Sequence, residues 1–231
     1  MLRPGATMPH MPLRKAGEDD VRNSITDLSD KELLERLIPV KIVEAVGGVE
    51  NIRVVKGDGC EIFPNKRNLL DVKAVHPDSV LHVMLDLSLG DYVDADGNRE
   101  LVFSHRLQDT RKEPFLYGSL VKFPGQKYPG FPADVNHEFV KNIIGLARDC
   151  GYDRVGMHPM WYHIYKMSRC EGFKLDERSE SGKAFKVAVE RFEQDCKRKA
   201  VKTLRERSFE AENQGLLKQI PHMIYDLRQK K

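Results

Sequence analysis

Four side chains late in this 231-residue chain have the residue types of a metal site. Cys150, His158, His163 and Cys170 form a C-x7-H-x4-H-x6-C series, and two thiolates with two imidazoles are a complete ligand set for tetrahedral zinc. The spacing matches no compact zinc motif, and Pro159 separates the two histidines into different elements. We therefore predict no metal site.

A second group of oxygen-bearing side chains occurs at alternate positions near the middle of the chain. Asp94, Asp96, Asn98 and Glu100 resemble calcium ligands in type, but the stretch lacks the glycine at loop position six and the distal glutamate of an EF-hand. Asp96-Gly97-Asn98 lies between two β-branched runs, and a glycine there accepts a positive φ at little cost. We interpret the segment as a hairpin turn.

His82 and Asp86 are a third candidate, because even spacing in a strand places both on one face as a base and its partner. A single strand shows no third group beside them. We interpret both residues as solvent-facing polar positions of a half-buried sheet.

The composition is that of a folded chain. Hydrophobic residues make up 40% and charged residues 32%, with a mean hydropathy of -0.51, which excludes the composition typical of disorder. No apolar run approaches the roughly 20 residues of a spanning helix, and the first residues contain no apolar signal region. We therefore expect no membrane span and a cytoplasmic protein whose four cysteines, which contain no C-x-x-C pair, are reduced.

Local patterns predict the elements that would position a site. Residues 1–23 have the composition of a mobile arm. Ser29 and Glu32 form a capping box for a helix over about 30–38, and "VKIVEAV" continues as a second apolar stretch. Short β-branched runs from 49 to 123 predict the strands of a sheet. "NHEFVKNIIGLARDCG" predicts an amphipathic helix that ends at Gly151. A short strand in "YDRVGMHP", a helix at 160–171 and one long helix over about 180–212 follow.

This order predicts an α+β domain at 24–175, with a mostly antiparallel mixed sheet over about 49–157 and flanking helices. A basic helical C-terminal extension would occupy 176–231. The segments "FLYGSLVKF", "NHEFVKNIIGLARDCGYDRVGM" and "MWYHIYKMSRCEGF" resemble, over about residues 75–175, the GNAT superfamily of acyl-CoA N-acyltransferases. The family's run of helix, A-x-x-x-G, strand, helix and Gly-Phe is similar to Ala147 through Phe173.

The resemblance implies a fold, an activity and a site. It implies transfer of an acyl group from acetyl-CoA or another acyl-CoA to an amine, or a catalytically inactive relative. The first splayed strand would be Leu116 to Phe123, the phosphate loop Pro124 to Asn136, and the second splayed strand Asp153 to Met157. The implied cofactor-binding residues are Ser119, Leu120, Val121, Lys122, Phe123, Gln126, Lys127 and Gly130.

The sequence departs from the family at two places. The loop "QKYPGFPAD" contains Pro129 and Pro132, which have no N–H to offer a phosphate. The family's tyrosine, four residues before the glycine of Gly-Phe, is Ser168 here. Tyr165, one turn earlier on roughly the same helix face, is the substitute that the resemblance implies as general acid to the leaving thiolate. Packing of Trp161, Tyr162 and Tyr165 against the sheet is the structural alternative.

The tail suggests an interaction surface. Residues 181–208 contain nine Lys or Arg against four Asp or Glu, and an apolar stripe recurs at Phe185, Val189, Phe192 and Cys196. The opposite basic face fits an acidic protein or a nucleic acid at 183–205, or an oligomer through this helix, with a solvated docked helix as the alternative. The basic residues are Lys183, Lys186, Arg191, Lys197, Arg198, Lys199, Lys202 and Arg205.

Overall fold

The structure, a computed structural model, describes residues 25–57, 67–75, 83–94, 96–115, 123–216 and 221–228. Within them the chain forms an α+β fold with a seven-stranded, mostly antiparallel mixed sheet and six α-helices, as the sequence predicts. The predicted mobile arm at 1–23 lies outside the described residues. So do His82 and residues 116–122 of the predicted strand "FLYGSLVKF".

The first two helices pack before the sheet begins. Helix α1 spans Asp30–Leu37, and its capping box is confirmed: Ser29 Oγ accepts a hydrogen bond from the Glu32 amide at 3.2 Å, and Glu32 Oε2 accepts one from the Ser29 amide at 2.9 Å. Helix α2 spans Val40–Ala45 and starts directly after Pro39, a residue whose fixed φ suits a helix start.

Four antiparallel strands form the first part of the sheet: β1 Ile52–Lys56, β2 Arg67–Val75, β3 Val83–Val93 and β4 Arg99–Leu107. The predicted hairpin turn joins β3 to β4. In that turn Asp94 Oδ1 accepts hydrogen bonds from the amides of Asp96 and Asn98 at 3.0 and 2.9 Å, and Gly97 has a φ of 80°. Hydrogen bonds from an aspartate side chain to the following backbone amides stabilise such a turn. They explain the closely spaced acidic residues without a bound cation.

A helical crossover then adds a parallel strand. Helix α3 spans Ala133–Asp149, β5 spans Arg154–Met157 and pairs parallel with β4, and α4 spans Tyr162–Cys170. A parallel neighbour requires such a crossover. The three elements occur where the sequence predicts a helix, a strand and a helix.

The C-terminal part of the chain contributes two strands to the sheet in addition to two helices. It contains β6 Lys174–Leu175, α5 Glu180–Arg198, α6 Leu204–Asn213 and β7 Met223–Asp226. The sheet order is β1-β2-β3-β4-β5-β7-β6, so the last strand inserts between β5 and β6. The predicted sheet ended near residue 157 and included neither β6 nor β7. Four residues of a short strand carry too little periodicity to show that they enter a sheet.

The predicted single long helix over about 180–212 is wrong, because the chain forms α5 and α6 with a break between them. Ala200 adopts a φ of 57° just after α5, which ends the helix. Thr203 then starts α6, with its hydroxyl accepting the Glu206 amide at 3.1 Å and Glu206 accepting the Thr203 amide at 3.0 Å. This Thr-x-x-Glu capping box favours a new helix start.

The core lies between the sheet and the helices. The predicted apolar stripe of α5 is buried, with Phe185, Val189, Phe192 and Cys196 exposed by only 2%, 4%, 3% and 1%. These side chains meet α4, since the Tyr165 ring lies 5.3 Å from the Phe185 ring and the Tyr162 ring lies 5.1 Å from that of Phe192, both edge-to-face. Burial of each large apolar side chain contributes roughly 1.5–3 kcal/mol, so α5 is part of the domain core.

Candidate functional site: a cleft between two parallel strands

β4 and β5 pair over only four residues, from Glu100 with Arg154 to Phe103 with Met157. β4 continues to Leu107, whereas β5 ends at Met157. Beyond this point β5 contributes no partner to β4, and the crevice outside the carboxyl ends of parallel strands is where open sheets bind ligands. The region beside His105 is therefore a candidate site.

A cavity of about 50 Å³ occupies this region. Strands β4 and β5 form its floor, the first turns of α3 form one wall, and α4 with the residues after it forms the other. A space of this volume holds roughly three or four water molecules, or a group as small as an acetyl. Its lining residues are Phe103, His105, Asn136, Val140, Met157, Ile164, Met167, Ser168, Glu171 and Phe173.

His105 is the titratable side chain that β4 contributes to the cavity. Its Nε2 lies 3.2 Å from Asn136 Oδ1, and its ring lies 5.4 Å from the Phe139 ring and 5.6 Å from the Phe103 ring. Burial among these groups lowers the pKa of His105, although the Asn136 hydrogen bond opposes the shift. The imidazole is therefore neutral at pH 7 and able to accept a proton.

A contact between a histidine and a glutamate forms the opposite wall. Glu171, which follows α4, contacts His137 Nδ1 of α3 through its carboxylate, and the side chains of Glu171 and His137 are 19% and 45% exposed. This contact links α3 and α4 across the cleft. It places a carboxylate on the cavity lining, where a cationic group of a ligand would be stabilised.

Ser168 lines the cavity, and Tyr165 packs into the core. Tyr165 is 2% exposed, its ring faces Phe185 of α5, and burial raises the pKa of its phenol. The residues of the described chain that line the cavity include Ser168 but not Tyr165. Ser168 therefore borders the cleft, whereas Tyr165, the residue predicted from the sequence, does not.

The residues predicted to bind the cofactor lie only partly within the described chain. Ser119, Leu120, Val121 and Lys122 fall outside it. Phe123 lies in a turn and stacks on His163 of α4 at 4.4 Å between ring centroids. Gln126 Oε1 is buried with no hydrogen-bond partner among the described residues, and its amide lies beside Gly130. Lys127 is exposed, with its ammonium 5.7 Å from the Tyr128 ring centre.

This loop packs on the start of α4 and leads into α3. Gly125 has a φ of 74°, and a Cβ there would lie 2.3 Å from the Trp161 ring, so glycine allows the close approach. Helix α3 begins after Pro132 with no side-chain cap. The acidic side chain of Asp134 lies in this first turn and accepts hydrogen bonds from the Asp134 and Val135 amides, so the helix start is already occupied by a carboxylate. The predicted phosphate loop therefore borders the cleft, although none of Phe123, Gln126, Lys127 and Gly130 lines the cavity itself.

A second polar cluster, which the sequence did not indicate, lies where β4 and β5 still pair. His222 Nε2 lies 2.6 Å from Glu100 Oε1 and His222 Nδ1 lies 3.6 Å from Asp176 Oδ2. Glu100 is only 1% exposed. The hydrogen bonds with His222 and Arg178 hold the pKa of Asp176 well below its usual range, against the effect of burial. The cluster fastens the segment before β7 to β4.

Asp94 belongs to the same cluster. Burial alone would raise its pKa, but hydrogen bonds from Asn98 and Arg178 and the charge of Arg154 outweigh burial and lower the pKa to about 2. The Arg154 and Arg178 guanidiniums lie 2.5 and 3.2 Å from Asp94 Oδ2. The carboxylate is thus saturated by protein donors. In the sequence, Glu100 was considered only as a calcium ligand. In the structure it is the partner of His222.

The Cys and His residues of the possible zinc series do not come together. Cys150 and Cys170 lie at the ends of α3 and α4, His158 stacks on His222 at 4.8 Å, and His163 stacks on Phe123. Across the described part of the chain, no group of three His, Cys, Asp or Glu side chains has the arrangement of a metal site.

A larger groove, of about 490 Å³, runs along the outer face of α5. Ala184, Val187 and Ala188 form its apolar part, and Arg191 and Asp195 are its charged residues. The groove is open to solvent, and its lining residues include no histidine that could act as a general base. The smaller cleft has the groups that acid–base chemistry requires, so we take it as the candidate functional site.

Half of the predicted basic side chains are paired with carboxylates within the fold. Four of these side chains form ion pairs: Lys183 with Glu180 at 2.7 Å, Lys186 with Glu177 at 2.8 Å, Arg198 with Asp195 at 2.8 Å and Lys199 with Glu210 at 3.0 Å. The Arg205 guanidinium lies 5.5 Å from the Phe209 ring centre. Exposed pairs of this kind contribute little to stability, but they reduce the positive potential offered to a partner.

Comparisons with models of protein families, with curated proteins and with solved structures found no match to this chain. Among the helices of the described residues, none has the length and apolar character needed to cross a membrane. A functional conclusion for this chain therefore depends on the cleft and its side chains.

Proposed function

We propose that the chain binds an acyl-CoA at the cleft and transfers the acyl group to an amine. The observation that carries this proposal is the neutral imidazole of His105 in a cavity beyond the paired part of two parallel strands. The resemblance implies a cofactor arm between two splayed strands, of which the second is Asp153 to Met157. In the structure this segment contains β5, and its parallel partner is β4. The arm would therefore lie beside β4.

His105 supplies the base for this reaction. The amine nitrogen attacks the thioester carbonyl carbon, a C–N bond forms, and the C–S bond breaks to release the thiolate. An amine that arrives protonated first gives one proton to His105, which is neutral at pH 7, and the second proton that the nitrogen loses on attack goes to the leaving thiolate. The imidazolium then returns its proton to solvent, so the balanced products are an amide, the free thiol and one proton.

Three neighbouring groups orient the reactants. The Glu171 carboxylate on the cavity wall attracts a protonated amine. The Ser168 hydroxyl, at the family's tyrosine position, donates a hydrogen bond toward the leaving sulfur. The exposed Lys127 provides positive charge for phosphates beside Pro129 and Pro132, which have no N–H groups to offer.

Calorimetry with coenzyme A and acetyl-CoA tests binding, and amide formation with a panel of primary amines tests catalysis. We expect His105→Gln to retain coenzyme A binding and to lower turnover by about 10²–10⁴-fold, the usual contribution of a general base. His163→Gln is the matched control, because His163 is another neutral histidine, outside the cavity lining. No heat with either ligand at millimolar concentration would refute the proposal.

The same experiment separates the alternatives. Binding without turnover identifies a catalytically inactive relative that retains the cleft. Absence of binding leaves a non-enzymatic interaction protein, for which the basic face of α5 would be the contact surface. The structure favours this second function less, because four of the eight basic side chains are already paired with carboxylates.

A further inference from the structure

Asn136 approaches the His105 ring from the first turn of α3 and contacts one of its two nitrogens. His105 Nε2 lies 3.2 Å from Asn136 Oδ1. A carboxamide oxygen can only accept a hydrogen bond, so Nε2 carries the proton when His105 is neutral. Within the described part of the chain, no hydrogen bond engages the other ring nitrogen, Nδ1. In the neutral imidazole, Nδ1 therefore has the lone pair that can accept a proton.

Two aromatic rings hold the imidazole in the orientation that this contact requires. The His105 ring lies 5.6 Å from the Phe103 ring and 5.4 Å from the Phe139 ring. Both phenylalanines are buried in the core, where close packing keeps them in place. Turning the imidazole over would take Nε2 away from Asn136 Oδ1. Packing therefore limits the tilt of the ring, and Asn136 decides which of its edges faces α3.

The backbone of α3 fixes the position of Asn136. The Asn136 amide donates to the Pro132 carbonyl at 3.3 Å, and the Val135 amide donates to the same carbonyl at 3.1 Å. The side chain of Asn136 lines the cavity together with His105. A group on a helix whose first turn is closed in this way positions its partner more exactly than a group on a loop.

The same contact also acts on the charged form of His105. Burial lowers the pKa of His105, and the hydrogen bond to Asn136 opposes that shift because the imidazolium still donates through Nε2. Asn136 can therefore stay bonded before and after His105 takes up a proton. The imidazole needs no reorientation during the transfer.

We propose that Asn136 is a positioning residue that holds neutral His105 as the Nε2–H tautomer, so that Nδ1 is the atom that takes the proton from the amine. The hydrogen bond at one ring nitrogen commonly sets the role of the other. The inference deepens the proposed acyl transfer and rests on it only for the use of His105 as the base. One hydrogen bond of ordinary strength changes the ratio of two tautomers about fivefold.

Proton–nitrogen NMR spectra of the isotope-labelled full chain test the inference without any ligand, because they show which ring nitrogen carries the proton. His105→Gln identifies the His105 signals among those of the eight histidines. The test variant is Asn136→Leu, and Asn136→Asp restores an acceptor. Asn142→Leu is the matched control, since Asn142 also lies on α3 but its side chain donates to the Leu37 carbonyl at 3.3 Å.

Above the titration of His105, we expect the Nε2–H tautomer in the wild type, in Asn136→Asp and in Asn142→Leu. The ratio of Nε2–H to Nδ1–H should be about fivefold lower in Asn136→Leu. The titration midpoint of His105 should fall in Asn136→Leu and rise by about one pH unit or more in Asn136→Asp, because a carboxylate stabilises the imidazolium. An Nδ1–H tautomer in the wild type, or an unchanged ratio in Asn136→Leu, overturns the inference. If Asn136→Leu does not fold, an unchanged midpoint in Asn136→Asp overturns it.

Turnover separates this inference from the acyl-transfer proposal. If the chain forms amides, Asn136→Leu should lower kcat by about 10–100-fold and leave KM for the acyl-CoA unchanged, because the base loses its fixed orientation. An unchanged kcat in a variant whose tautomer has changed overturns the positioning role. If coenzyme A does not bind and no amide forms, acyl transfer is refuted, while a tautomer ratio that follows position 136 still supports the assignment of Nδ1 as the accepting atom.

Discussion

We expect Gly156→Ala to destabilise the fold by separating His222 from Glu100. A Cβ at position 156 would lie 1.9 Å from Glu100 Oε1 and 2.7 Å from His222 Nε2, distances that no real side chain tolerates. The two groups are now 2.6 Å apart, and Glu100 is only 1% exposed, so its carboxylate has no open route to solvent. Glu100 Oε2 already lacks a hydrogen-bond partner among the described residues.

The magnitude follows from the loss of the partner that satisfies the buried Glu100 side chain. Leaving a buried, charged hydrogen-bonding group without its partner costs about 3 kcal/mol. His222 is 16% exposed and keeps some solvation, so we expect a loss of about 3 kcal/mol. For a chain of this size that loss lowers the melting temperature by about 6–12 °C. Urea and thermal unfolding at pH 7, followed by circular dichroism, measure both quantities.

Gly145→Ala is the matched control. Gly145 lies inside α3, a Cβ there meets no atom within 4 Å, and alanine in a helix is more stable than glycine by up to about 1 kcal/mol. With Glu100→Ala in the background, Gly156→Ala should cost much less, because the clashing carboxylate is gone. A loss below about 1 kcal/mol for Gly156→Ala alone would refute the close packing of this cluster.

Three further predictions concern other parts of the fold. Burial lowers the pKa of His163 to about 4, below its unfolded value near 6.5, so stability should fall on the order of 3 kcal/mol as the pH drops from 6.5 to 4. Urea unfolding at both pH values measures this loss of stability, and the variant His163→Phe should not show it. Ala200→Gly should raise the free energy of unfolding by up to about 1 kcal/mol, since a φ of 57° strains alanine. The control is Ala184→Gly on the exposed face of α5, which should lower the free energy of unfolding by up to about 1 kcal/mol. If the chain binds nucleic acid, the logarithm of the affinity should fall with the logarithm of the salt concentration at a slope no steeper than about -3. The slope should become flatter when glutamine replaces the exposed basic side chains Lys197, Arg198, Lys199 and Lys202.

Features that depend on near neighbours in the chain were predictable. The capping box of Ser29 and Glu32, the turn at Gly97 and the buried stripe from Phe185 to Cys196 are all confirmed. The break between α5 and α6 also had a local signal, because Thr203 and Glu206 have the spacing of a capping box. We predicted one helix because the apolar and basic patterns continue through that segment.

The candidate site was less predictable than the elements that build it. The helix and strand that border the cleft were expected, but the strand paired with β5 was assigned to residues 116–123 and is β4 in the structure. His105 lies 31 residues from its partner Asn136, and no spacing pattern connects them. Tyr165 and Ser168 are one turn apart, and packing decides which of the two reaches the cleft.

By itself the sequence determined the α+β composition, most helix limits, the β3–β4 turn and the amphipathic face of α5. These depend on backbone propensities and on contacts within about four residues. Only the tertiary structure decided that β7 inserts beside β5, that Glu100 is buried against a histidine 122 residues away, and that β4 extends past the end of β5 to leave a cleft. Such pairings depend on the order of strands in the sheet, which a local period of two or 3.6 residues does not encode.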